Sequence, residues 1–196
     1  MTKGVELERI KEAINVGIRV CGESRVQEAR PKLSALGKVV SWHFIGHLQR
    51  NKVKYIVGEV DLIHSVDSLE LSTEINYRAQ KRGIIQDILI EVNISGERGK
   101  FGVLPYEVVD TVKAINMFKN VSILGMMTIP PFSENPEDAR PYFSRLRKLR
   151  DEIIGLGISS PDFKELSMGM SSDFEIGVEE GATFVRIGTA IFGKRG

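Results

Sequence analysis

LIHSVDSLELSTEINYRAQKRGIIQDILIEVNI, residues 62–94, decides the fold. Its first five residues form a short apolar run of strand character, and Asp67 or Ser68 stands where a helix N-cap is expected. Apolar residues then recur at helical spacing over 68–82, Gly83 ends the helix, and a second β-rich run covers 84–94. Strand, helix and strand in this order form a crossover unit with parallel strands. Toward the N-terminus the alternation continues as a helix over 51–57, a strand over 39–45, a helix over 25–36, a strand over 18–21 and a helix over 6–16. Toward the C-terminus follow a helix over 105–116, a strand over 121–127, a helix over 136–154, a strand over 163–166, a helix over 173–180 and a strand over 184–187. That makes seven strands, each except the last followed by a helix. An open dinucleotide-binding sheet would carry G-x-G-x-x-G after its first strand, and no such pattern occurs. The expectation is therefore an α/β fold, a (β/α)8 TIM-type barrel whose first strand is represented only by Met1-Thr2-Lys3.

The chain has 196 residues, just short of the ~200 at which complete barrels begin. We expect one domain over 1–196 that lacks a leading helix and most of strand 1. The 27 basic and 26 acidic residues balance to +1, which argues against a nucleic-acid partner held by bulk charge. No apolar run approaches the ~18 residues of a membrane span, and the first nine residues carry no signal-peptide core. With a single cysteine, Cys21, an internal disulfide is impossible, so a cytoplasmic location is expected.

In a β/α barrel the loops following the strands build the site, and those after strands 7 and 8 commonly bind phosphate. Counting the stub as strand 1, these are Ser167-Met168-Gly169-Met170-Ser171-Ser172-Asp173 and Gly188-Thr189-Ala190. Both combine glycine, hydroxyls and a nearby helix start, where free N–H groups converge. Each alone also reads as a helix cap or a turn; their joint position favours an anion. Arg186 lies in the apolar strand Phe184-Val185-Arg186-Ile187, facing either a ligand or a buried carboxylate. Lys3 sits at the rim, where a desolvated lysine becomes a nucleophile toward aldehydes, although an amino-terminal lysine is commonly just a solvated charge. His43 and His47 straddle a strand end and Gly46, so helical metal-pair geometry fails and no metal site is expected. Cys21 reads as core packing, and the cations between 145 and 150 as a solvated helix face. SGERGKFG, 95–102, is a polar rim loop suited to binding or simply to turning.

Several strings resemble the pyridoxal-phosphate homeostasis protein family, whose fold is that of the alanine racemase N-terminal barrel: WHFIGHLQRNK (42–52), EVNISGE (91–97), GMMTI (125–129), LSMGMSSD (166–173) and VRIGTAIFG (185–193). The resemblance runs from about Thr2 to Gly196. It implies one pyridoxal 5′-phosphate (PLP) held as a Schiff base on Lys3, the phosphate on Ser171, the Met170 backbone, Gly188 and Thr189, and Arg186 facing the pyridine nitrogen. In GESRVQE (22–28), Ser24 replaces a family asparagine that approaches the cofactor.

The function implied is a non-catalytic PLP-binding protein that buffers or supplies the cofactor, with PLP-dependent apo-enzymes as possible recipients and a monomeric state expected. Alanine racemases use a tyrosine from a separate C-terminal domain as their second acid/base, and the sequence is expected to lack such a domain. The alternative is a single-domain PLP-dependent amino-acid racemase using the same site residues. A phosphosugar-type barrel enzyme, using only the phosphate loops, is a third reading. The short N-terminus is expected to weaken cofactor binding relative to a chain extended upstream, because it leaves the neighbouring strand edges unpaired.

Overall fold

The structure, a computed structural model, describes residues 1–193. The expected span to 196 therefore includes 194–196, which lie outside the described residues. Seven parallel strands pair in sequence order: β1 (Val20–Glu23), β2 (Ser41–Phe44), β3 (Leu62–Val66), β4 (Gln86–Glu91), β5 (Val121–Met127), β6 (Glu165–Met170) and β7 (Phe184–Arg186). The covering helices are α1 (Leu7–Asn15), α2 (Val26–Leu36), α3 (Leu69–Arg82), α4 (Val108–Ile115), α5 (Arg140–Gly155), α6 (Phe174–Glu179) and α7 (Thr189–Phe192). Between the sheet and the helices lies one large apolar cluster that includes Phe44, Ile63, Ile90, Phe143 and Leu166. Inside the barrel a smaller cluster of Leu62, Leu89 and Met127, joined by Leu124 and Phe184, fills the lumen.

The stub ahead of α1 forms no regular strand, but it occupies the place of one. Thr2 donates its amide to Gly22 O on β1 at 2.9 Å, and the Met1 amino group donates to Ile187 O just beyond β7. Three residues thus span the gap between the first and last strands, and the barrel is nearly closed. The Thr2 hydroxyl donates to Glu23 Oε1 at 2.6 Å, and Lys32 of α2 donates to both Thr2 O (2.7 Å) and Glu23 Oε1 (2.8 Å). Glu23 is 1% exposed, so this clasp lies within the protein and fixes the stub from the helix side.

Several boundaries differ from the sequence reading, each for a local reason. The expected helix over 51–57 is a 3₁₀ helix, Arg50–Tyr55. The expected strand over 18–21 lies two residues later, and that over 163–166 is displaced to Glu165–Met170. Ser167, read as loop, faces the lumen, Leu166 and Met168 pack outward in the helix-facing cluster, and Gly169, also read as loop, lies against Phe174 and Gly177 of α6. The strand over 84–94 leaves the sheet after Glu91, because Val92 turns to bridge Val103 and tie down the rim loop. A short helix, α7, follows the last strand, where none was expected.

Gly125 sits at φ +156°, with a constructed Cβ only 1.9 Å from Glu165 O on the adjacent strand. Gly125→Ala should therefore destabilise the fold by about 3 kcal/mol in urea denaturation, since either β5 or β6 must move. Gly155→Ala, in open space on α5, should cost nothing. A fully stable Gly125→Ala protein would contradict the tight β5–β6 approach.

Candidate cofactor site

The C-terminal ends of β6 and β7 bring the two expected anion loops together. Gly188 donates its amide to Ser171 Oγ at 3.2 Å, and Met170 pairs in register with Arg186 across β6–β7. The Met170 amide is taken by Asp173 Oδ1, which caps the turn into α6, so this N–H points inward to the loop rather than to a ligand. The amides of Ser171, Ser172 and Thr189 have no acceptor among the described residues and lie at the starts of α6 and α7, where helix geometry favours an anion. Gly188 is buried and Thr189 exposed, which makes the rim a shallow cradle.

Lys3 lies in the turn that follows Thr2, whose side chain points outward to Glu23. The Met1 amino group reaches Ile187, the residue between Arg186 and Gly188, so the stub and the anion loops share one seam. The half-buried Lys3 ammonium makes no hydrogen bond or ion pair among the described residues. Ser24 follows β1, and its backbone packs so closely on Gly46 that a Cβ there would lie 2.2 Å from Ser24 O. The Ser24 hydroxyl has no partner among the described residues.

Arg186 projects into the lumen, 5% exposed. It donates Nη1 to Ser167 Oγ at 2.7 Å and Nη2 to Thr128 O at 2.8 Å, and it meets no carboxylate at ion-pair distance among the described residues. A structural ion pair with a buried carboxylate is thus excluded as its role. Burial lowers its pKa to about 10, against the pull of Glu91 and Asp173, so it stays charged at neutral pH. Three of its five N–H groups remain uncommitted. An ammonium without a partner, a guanidinium with donors to spare and a cradle of open amides match an aldehyde, a ring nitrogen and a phosphate. The residues present fit pyridoxal 5′-phosphate.

Residues 1–196 match the family described as "Alanine racemase, N-terminal domain". A pyridoxal phosphate homeostasis protein of Aquifex aeolicus is 53% identical over 196 residues, covering 99% of this chain and 85% of its own. The chain belongs to the pyridoxal phosphate homeostasis protein family. The human protein of that name is 36% identical over 206 residues, covering 100% of this chain and 75% of its own. PipY of Synechococcus elongatus, solved with PLP bound, superposes with a TM-score of 0.89 at 32% identity, over 98% of this chain and 90% of its own.

Of three further polar groups in the lumen, His64 and Glu91 escaped the sequence reading, and His43 entered it only as a partner considered for His47. His64 of β3 bonds His43 of β2 through Nε2 and Nδ1 at 2.9 Å, and its Nδ1 meets Ser167 Oγ at 2.8 Å. Phe184 packs edge-on against both imidazoles. His43 thus belongs to the lumen, while His47 lies on the rim, bonded to Asp67 at 3.2 Å and stacked on Phe101 at 3.6 Å. The signal for His64 was its register: His43 and His64 both occupy lumen-facing strand positions. Glu91, 8% exposed, is the third group. Burial and the nearby Asp67 carry its pKa up to about 7. Cys21 is buried in the core, and burial pushes its thiol up, which leaves it protonated and inert.

Burial holds His43 down to about 4 and His64 well below 6.5. The unfolded chain therefore binds about two more protons at these sites than the native one near pH 5.5, against one proton that Glu91 binds more readily when folded. The histidines prevail, and their contribution to stability is lost as pH falls from 6.5 toward 4. His43→Phe should flatten the pH dependence of urea-unfolding stability between pH 4.5 and 6 by up to about 1.4 kcal/mol per pH unit. An unchanged slope would show that His43 is charged in the folded protein.

Proposed function

We propose that this chain binds one pyridoxal 5′-phosphate at the C-terminal rim of its barrel and acts as a carrier or buffer of the cofactor, without turnover of its own. The observation that carries the reading is the meeting of the charged Arg186 with the open amides between β6, β7 and their helices, at the seam that Met1 reaches two residues before Lys3. The names and the bound PLP of the relatives support it. Bound pyridoxal 5′-phosphate supplies an aldehyde that condenses with an amine and a ring that withdraws electrons.

Lys3 offers the amine from a half-buried position, where it needs no ion pair to be broken before it reacts. Ser171, with the amides of Ser172, Thr189 and its own backbone, receives the phosphate, and Gly188 allows its close approach. Met170 serves through the turn that Asp173 caps. Ser24, just after β1, would border the site with a hydroxyl that has no partner among the described residues. Arg186 gives only donors to the ring nitrogen, so it holds that atom unprotonated and weakens the ring as an electron sink. This favours retention of the cofactor over chemistry on it. The four tyrosines also lie outside the lumen: Tyr55 beside α2, Tyr77 and Tyr106 exposed, and Tyr142 packed on the helix-facing core. A racemase needs a second proton donor facing the cofactor. We infer further that the chain works as one domain and a monomer in the cytoplasm and that PLP-dependent apo-enzymes receive its cofactor. The single buried thiol supports a reducing compartment.

Wild-type protein incubated with pyridoxal 5′-phosphate and desalted should retain a visible chromophore, and borohydride reduction should fix the cofactor's mass on Lys3. Lys3→Ala should retain neither, and Ser171→Ala should weaken binding by about tenfold, the worth of one hydrogen bond of ~1.4 kcal/mol. A fixed adduct on a different lysine would overturn the assignment. Deuterium entering the α-position of alanine faster than with free cofactor would replace the carrier reading with a racemase.

A further inference from the structure

Arg186 is one end of a continuous hydrogen-bonded row that crosses the lumen: Arg186 on β7, Ser167 on β6, His64 on β3 and His43 on β2, with links of 2.7, 2.8 and 2.9 Å. The side chains of this row are 5%, 0%, 2% and 7% exposed, so solvent cannot complete their bonding. The donor count then fixes its direction. Arg186 has only donors, so the first link must run from Arg186 Nη1 to Ser167 Oγ. Ser167 keeps one hydrogen to give, and His64 Nδ1 is the acceptor within reach. Were His64 Nδ1 instead the donor, Ser167 would receive twice and its own buried O–H would have no acceptor among the described residues. A neutral imidazole that accepts at Nδ1 carries its hydrogen at Nε2, which His64 gives to His43 Nδ1. His43 then carries its hydrogen at Nε2. The burial that keeps both imidazoles neutral is what permits this arrangement.

We propose that Ser167, His64 and His43 form a one-directional hydrogen-bond strut that aims the Arg186 guanidinium, making Ser167 and His64 positioning residues for the ring-nitrogen end of the cofactor site. Nη1 is drawn toward Ser167 and Nη2 is held by Thr128 O, which pins the plane of the guanidinium from two sides and leaves its remaining N–H groups for a ligand. The strut joins β3 to β6, strands that are not neighbours in the sheet, so it also sets the width of the lumen at the height of Arg186. The proposal rests on the reading of the lumen as a cofactor site only for what Arg186 is aimed at. The direction of the strut is a property of the free protein.

The test begins with the full chain free of cofactor at neutral pH, with ¹⁵N-labelled histidine and long-range ¹H–¹⁵N correlation spectra. His64 and His43 should both appear as Nε2–H tautomers, and Ser167→Ala should release His64 from that single tautomer. His64 found with its hydrogen on Nδ1 would overturn the proposal. Cofactor binding supplies the second arm. Ser167→Ala and His64→Leu should each weaken it by about tenfold and shift the visible band, because the guanidinium is no longer aimed. His64→Gln, whose amide offers one acceptor and one donor at about the imidazole's spacing, should stay within about threefold of wild type. Equal affinity and an unmoved band in Ser167→Ala would show that the row only braces the barrel. Should the chain take up no cofactor, the functional reading fails, and the tautomers of the free protein alone decide the strut.

Discussion

A guanidinium inside a parallel barrel is the constraint around which the lumen is organised. A charge taken out of water must be repaid in hydrogen bonds or paired, and Arg186 finds no contacting carboxylate among the described residues. Its two bonds go to neutral acceptors, a serine hydroxyl and a backbone carbonyl. That choice propagates: Ser167 must be a small hydroxyl residue at a lumen position of β6, and two uncharged imidazoles fill the space beyond it. Glu91 contributes only at a distance, through a carboxyl whose protonation is poised near neutrality. The outcome is a site that is positive but not neutralised, with donors left over at its mouth. Such a site suits an acceptor-rich ligand better than it suits an empty barrel.

The sequence shows the architecture readily because apolar β-branched runs and amphipathic runs alternate without interruption. Seven strands in sequence order require no more than that pattern. Residue type and loop position single out Ser171, Gly188 and Arg186 in the sequence, and the fold brings these three to the adjoining ends of β6 and β7. Legibility failed inside β6. Ser167 and Gly169 are turn-forming residues by composition, and they read as loop although both lie within the strand Glu165–Met170, whose register is irregular between Ser167 and Met170. It failed also for His64, because β3 is buried on both faces and offers no polar-outward marker to reveal which residues look into the lumen. Single-segment reading sees one strand at a time, whereas the row from Arg186 to His43 exists only when four strands are placed around a common axis. The internal use of the Met170 amide by Asp173 was equally hidden, since it depends on a turn geometry that the string LSMGMSSD does not disclose.

At the N-terminal seam the Thr2 amide on one side and the Met1 nitrogen on the other link β1 to the end of β7, and the Glu23–Lys32 pair supplies rigidity from the helix layer. The pair is costly to bury and is compensated only in part by the Thr2 hydroxyl and carbonyl, since Glu23 Oε2 is buried with no hydrogen-bond partner among the described residues. Lys3 follows directly on this clasp.

A closure made of so few bonds has a kinetic meaning. The amides of β4 and β5 are held by paired neighbours on both sides and exchange with solvent only when the barrel as a whole comes apart, whereas the seam at Thr2 can part by a small local fluctuation that leaves the sheet intact. The lifetime of the closed seam is then governed by local opening and not by global unfolding. The global stability of the fold and the opening of this seam become separately adjustable quantities.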